Sequence, residues 1–183
     1  PSASGLPSSI TTCSESGDTP AYRPRSGRKT QWAFPGAEKF RPEFAMHLGK
    51  GHYPSDDEWL TLNKADTILA FFGFNESFDG PERVQNFADE LAAFVDHTLK
   101  QKYNGRSAPR LVLISPIAFE DLSATRDLPN GVTENANLKL YTKAMREVAA
   151  DKGVAFIDLF APTAAWYAED DAALTINGAH LSE

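Results

Sequence analysis

Three short apolar runs, separated by long amphipathic stretches, restrict this chain to few folds. The runs are Thr67-Ile68-Leu69-Ala70-Phe71-Phe72, Arg110-Leu111-Val112-Leu113-Ile114 and Val154-Ala155-Phe156-Ile157-Asp158. Each is too short for a buried helix and fits a central parallel strand covered on both faces. After the first run, Val84, Phe87, Leu91, Phe94, Val95 and Leu99 recur at steps of three and four. That is the stripe of an amphipathic helix, entered at Pro81 and ending near Asn104-Gly105. After the second run, residues 133–152 repeat the pattern through Leu138, Tyr141, Met145 and Val148, and Gly153 suits the C-terminal cap. Shorter helices are expected at 56–63 and 162–168. Strand, helix, strand, helix, strand predicts a parallel sheet with right-handed crossovers and helices on both faces. The expected fold is a three-layer α/β/α sandwich.

At 183 residues the chain has the length of one domain and can bury a real core. Its net charge of -7 argues against a nucleic-acid partner, because phosphate backbones are bound by excess Lys and Arg. No run of about 18 apolar residues occurs, so no membrane span is expected. The single cysteine, Cys13, has no internal disulfide partner and leaves the compartment open, secreted and periplasmic ones included. No charged segment followed by an apolar one marks a signal peptide near residue 1. Residues 1–36 are rich in Ser, Pro, Gly and Arg without apolar periodicity, which reads as loop.

Open parallel sheets build their sites on the loops that leave the C-terminal ends of the strands. The first run leaves into Gly73-Phe74-Asn75-Glu76-Ser77. There the Asn75 amide either donates to a developing oxyanion or bonds its own backbone in a turn. Residues 175–183 form a polar stretch around His180, whose imidazole is suited to general-base work near neutral pH, or is a plain surface histidine. His47, His52 and His97 read as bland: His97 falls on the polar side of the long helix, and the others flank glycines. No Cys/His cluster at ligand spacing and no phosphate-cradling glycine loop follows any strand. No metal or organic cofactor is therefore implied, and a nucleotide-binding reading is disfavoured.

Together these segments resemble the SGNH/GDSL-type serine hydrolases. Gly73-Phe74-Asn75-Glu76 resembles that family's Gly-x-Asn-Asp/Glu block, and Asn177-Gly178-Ala179-His180-Leu181 its Asp-Gly-x-His-Leu block. Ser16-Gly17-Asp18-Thr19-Pro20 resembles the second block of a bacterial esterase-like branch, in which the glycine amide lines the oxyanion hole. The resemblance covers residues 16–183, preceded by an irregular segment at 1–15. It implies a flavodoxin-like α/β/α fold, His180 as general base, Asn75 and Gly17 as oxyanion hole, and a small or carbohydrate ester, acetyl or short acyl, as substrate. Two departures stand out. The Gly-Asp-Ser block that carries the family's nucleophile is not recognisable. Ser9-Ile10-Thr11 resembles only the Ser-Ile-Thr within it, which leaves Ser9 as the candidate. Asn177 stands where the family has an aspartate beside the histidine. The chain is thus expected to lack the fold's first strand and last helix, and these 183 residues alone can be inactive. The alternative is an inactive SGNH-like carbohydrate- or protein-binding module.

Overall fold

The computed structural model describes residues 10–14, 56–169 and 172–182. Four strands, β1 (Ile10–Ser14), β2 (Thr67–Phe71), β3 (Arg110–Ile114) and β4 (Ala155–Ile157), form one parallel sheet in the order β1-β2-β3-β4. The helices are α1 (Asp56–Leu62), α2 (Phe74–Ser77), α3 (Val84–Lys100), α4 (Val132–Lys152) and α5 (Phe160–Glu169), with a 3-10 turn at Pro81–Arg83 leading into α3. No helix among the described residues is long and apolar enough to cross a membrane.

The two long helices and the last three strands follow the apolar periodicity. Pro81 opens the turn before α3, where its missing N–H costs nothing. Gly153 closes α4 with φ 67°, and the Val154 N–H returns to the Ala149 carbonyl in a glycine-capped C-terminus. Phe87, Leu91, Phe94 and Val95 of α3 meet Leu138, Tyr141 and Met145 of α4 over Ile68, Ala70, Leu111 and Leu113 of the sheet. Each of these side chains is almost completely buried, and truncating one such leucine to alanine typically costs about 2–5 kcal/mol.

Three local differences from the sequence reading have physical reasons. β1 lies inside the stretch 1–15 that reads as irregular; Ile10, Thr11 and Thr12 are β-branched and pair in register with Thr67, Ile68 and Leu69. The strand runs look doubly buried, yet alternate residues differ. Ile68, Ala70, Leu111 and Leu113 face the helices, whereas Leu69, Phe71 and Val112 are half-buried on the other side. α5 starts at Phe160, two residues before the expected boundary, because its end is capped from outside. Ser115 Oγ accepts the Leu159 and Phe160 N–H groups, and Asp158 Oδ1 accepts that of Ala161 at 3.0 Å.

Register fixes where a site can form. Ser14 pairs with Phe71, Phe71 with Ile114, and Ile114 with Ile157. All four strands therefore end in one row, and their exits share one edge of the sheet.

Candidate active site

Gly73 follows β2 with φ 100°, a backbone state that glycine enters without the Cβ penalty. Glu76 turns back so that its Oε2 accepts the Gly73 N–H at 3.1 Å. Ser77 Oγ donates to the Phe74 carbonyl at 2.6 Å. The result is one helical turn, α2, that exposes Asn75 while burying Glu76 and Ser77. A little further on, the Tyr141 hydroxyl on α4 donates to the Gly80 carbonyl at 2.9 Å. Burial first, then the neighbouring Asp79 carboxylate, pushes that phenol well above its usual pKa, so it stays a donor.

His180 is carried by a tight hairpin. Thr175 and Leu181 form an antiparallel bridge, Ile176 N–H donates to the His180 carbonyl at 2.7 Å, and Ser182 N–H to the Leu174 carbonyl at 2.9 Å. At its tip the Asn177 side-chain oxygen accepts the His180 backbone N–H at 3.1 Å and that of Ala179 at 3.3 Å. The same oxygen lies 2.9 Å from His180 Nδ1. Only an oxygen can accept from backbone N–H groups, so the amide orientation is fixed by its partners. Nδ1 facing that oxygen must then carry the ring proton. In the neutral ring the Nε2 lone pair is left as the base, on an exposed side chain. This is the tautomer that a serine hydrolase needs.

The hairpin is fastened to the segment that leaves β3. The Glu120 carboxylate, on a residue 6% exposed, accepts the Leu174 N–H at 2.9 Å, the Thr175 N–H at 2.7 Å and the Thr175 hydroxyl. Glu120 N–H donates to the Gly178 carbonyl at 2.9 Å. Gly178 has φ 85°, and a Cβ there would stand 2.5 Å from the Phe119 ring, so only glycine fits. This exit segment is itself held from two helices. Asn135 of α4 accepts the Phe119 N–H and donates to the Phe119 carbonyl, both at 2.8 Å, and Thr163 Oγ1 of α5 accepts the Ala118 N–H at 2.9 Å.

Asn75 and the His180 hairpin thus both attach to exits from the same row of strand ends. Ser9 and Gly17 lie outside the described residues, as do His47 and His52. Ser115, directly after β3, is not a free hydroxyl: it donates to the Pro116 carbonyl while receiving the N–H groups of Leu159 and Phe160 at the start of α5. His97 is a structural group, its Nε2 2.8 Å from Asp57 Oδ2, which ties α3 to α1. Glu120, Thr175 and Asn135 are the residues that sequence reasoning missed. Glu120 lies between two coil segments, where no periodicity flags it, and the sequence signal was only a charged residue in an apolar neighbourhood.

The sequence model of the GDSL-like lipase/acylhydrolase family matches residues 8–183. The chain belongs to that family. Among solved structures, this GDSL-like chain is similar to a gut microbial diltiazem-metabolizing enzyme, with TM-score 0.53 and 18% identity over 66% of the chain. That match spans 30% of the other protein's length. An acetyl xylan esterase matches with TM-score 0.47 and 19% identity, covering 75% of this chain and 67% of its own. A carbohydrate acetylesterase from Sinorhizobium meliloti matches with TM-score 0.44 and 16% identity, covering 69% of this chain and 59% of its own. No curated protein matches the sequence. The fold is α/β with a parallel sheet, as the sequence texture predicts, and of the flavodoxin-like type that the family resemblance implies.

Proposed function

We propose that the protein is an ester hydrolase of the SGNH/GDSL type that removes an acetyl or short acyl group from a carbohydrate or another small alcohol. The observation that carries this is the Asn177–His180 pair, which holds the ring proton on Nδ1 and leaves Nε2 as base. In the proposed reaction a serine Oγ attacks the ester carbonyl while His180 Nε2 takes its proton. The oxyanion is held by the Asn75 amide and the Gly17 N–H. Collapse expels the alcohol, which receives the proton from His180. Water then attacks the acyl-serine with His180 again as base, and the serine is restored. Within residues 1–183 the candidate for that serine is Ser9, which lacks the Gly-Asp that precedes the family's nucleophile. Exposed Phe78, Val132, Ile176 and Leu181, on segments at the same edge, offer apolar surface to a short acyl chain.

The test is hydrolysis of nitrophenyl acetate and of acetylated oligosaccharides by the full-length natural protein. His180→Ala should lower kcat by about 10³-fold or more with KM little changed. Asn75→Ala should cost about 10²-fold in kcat. Unaltered rates in His180→Ala would sink the hydrolase reading, whereas binding of an acetylated sugar without turnover would leave a binding module.

A further inference from the structure

A general base must be held as well as present, and the hairpin supplies this through one buried carboxylate. Nine residues, Leu174 to Ser182, carry the base, and the tip that bears Asn177 has no hydrophobic anchor of its own: Ile176 and Leu181 are both exposed. Its fastening is polar. Glu120 gathers three donors from Leu174 and Thr175. A carboxylate only accepts, so the Thr175 hydroxyl donates to it and turns a lone pair toward the tip. That lone pair receives the Gly178 N–H at 2.9 Å. Gly178 separates Asn177 from Ala179, so the chain Glu120–Thr175–Gly178 sets the turn whose Asn177 oxygen meets His180 Nδ1.

We propose that Glu120 is a positioning residue for His180, acting through Thr175 and Gly178 and touching no reacting atom. The proposal rests on the reading of His180 as base. Aligned hydrogen bonds to a buried carboxylate are stronger than neutral ones, and losing one partner leaves donors buried without an acceptor. A glutamine at 120 has one accepting oxygen, and its NH2 group must face a donor. A valine at 175 keeps the shape but removes both hydroxyl bonds.

The experiment reads the ring of His180 directly, on residues 1–183, by long-range 1H–15N correlation at a pH where the imidazole is neutral. In the unaltered protein the proton should reside on Nδ1. In Thr175→Val and Glu120→Gln the ratio of the Nδ1–H to the Nε2–H form should fall at least about threefold, as Asn177 loses its fixed aim, with the helical circular dichroism preserved. A merely structural contact would lower the melting temperature and leave this ratio alone; an unchanged ratio in Thr175→Val therefore overturns the proposal. So does loss of the whole fold in Thr175→Val, since the network would then hold the domain and not the base. In the full-length protein, Thr175→Val should also lose about 10²-fold in kcat with KM nearly constant, the scale of a base displaced by about 1 Å. This arm separates two failures. If His180→Ala keeps its activity, the base reading fails whatever the tautomer does. If His180→Ala is dead but Thr175→Val is fully active with an unmoved tautomer, only the positioning role of Glu120 fails.

Discussion

At Asn177 a single amide oxygen serves three N–H groups, two from the backbone and one from the His180 ring. Turn shaping and base orientation are here geometrically the same act. An aspartate, near in shape to asparagine, can accept the same three bonds and adds a charge beside the ring. Asn177→Asp in the full-length protein should therefore keep or raise kcat, because imidazolium forms in the transition state and a carboxylate stabilises it. Asn177→Ala removes the acceptor from the ring and from the turn together. It should lower kcat by about 10²-fold or more while KM stays nearly constant, and a parallel loss of about 1–2 kcal/mol in urea denaturation would report the turn. Equal rates in all three proteins would show that some other group orients His180.

Asn135 shows how an element far along the chain holds a loop that has no secondary structure of its own. In the first turn of α4, it satisfies both the N–H and the carbonyl of Phe119. Asn135→Ala orphans both, and Asn135→Asp can still accept from the N–H but cannot donate to the carbonyl. Urea denaturation should give losses of about 2–4 kcal/mol for alanine and roughly half that for aspartate. Identical curves would mean water replaces the side chain at no cost. At this scale the sequence was legible where periodicity speaks: α3, α4 and the last three strands follow from stripes and apolar runs. It was illegible where tertiary partners decide. The start of α5 depends on Ser115, which lies 44 residues before Leu159. The hairpin around His180 depends on Glu120, and β1 is a strand through pairing with β2 more than through its own pattern. Of the candidate site, Asn75 and His180 stand out in the sequence as a strand-exit amide and a loop imidazole, but Glu120, the carboxylate that fastens the His180 hairpin, does not.

Across the whole molecule, the level row Ser14, Phe71, Ile114 and Ile157 gathers the strand exits at one edge, the edge to which the proposed oxyanion donor Asn75 and the hairpin of the proposed base His180 both attach. What a hydrolase adds is a serine at that edge, activated by the base. No Gly-Asp-Ser triplet occurs in the 183 residues. Residues 1–183 alone are therefore expected to show negligible turnover of short-chain nitrophenyl esters. A base and an oxyanion hole acting on water retain only a small part of the catalysis, because the activated hydroxyl carries the attack. The measurement is initial rate against enzyme concentration, with Ser9→Ala and Ser14→Ala prepared in parallel. Robust turnover that disappears in Ser9→Ala would assign the nucleophile to Ser9. Turnover that survives there and disappears in Ser14→Ala would assign it to the serine that β1 ends on, opposite Phe71. In either case His180→Ala should abolish the same activity, since a serine hydroxyl at neutral pH attacks an ester only as its proton leaves to a neighbouring base.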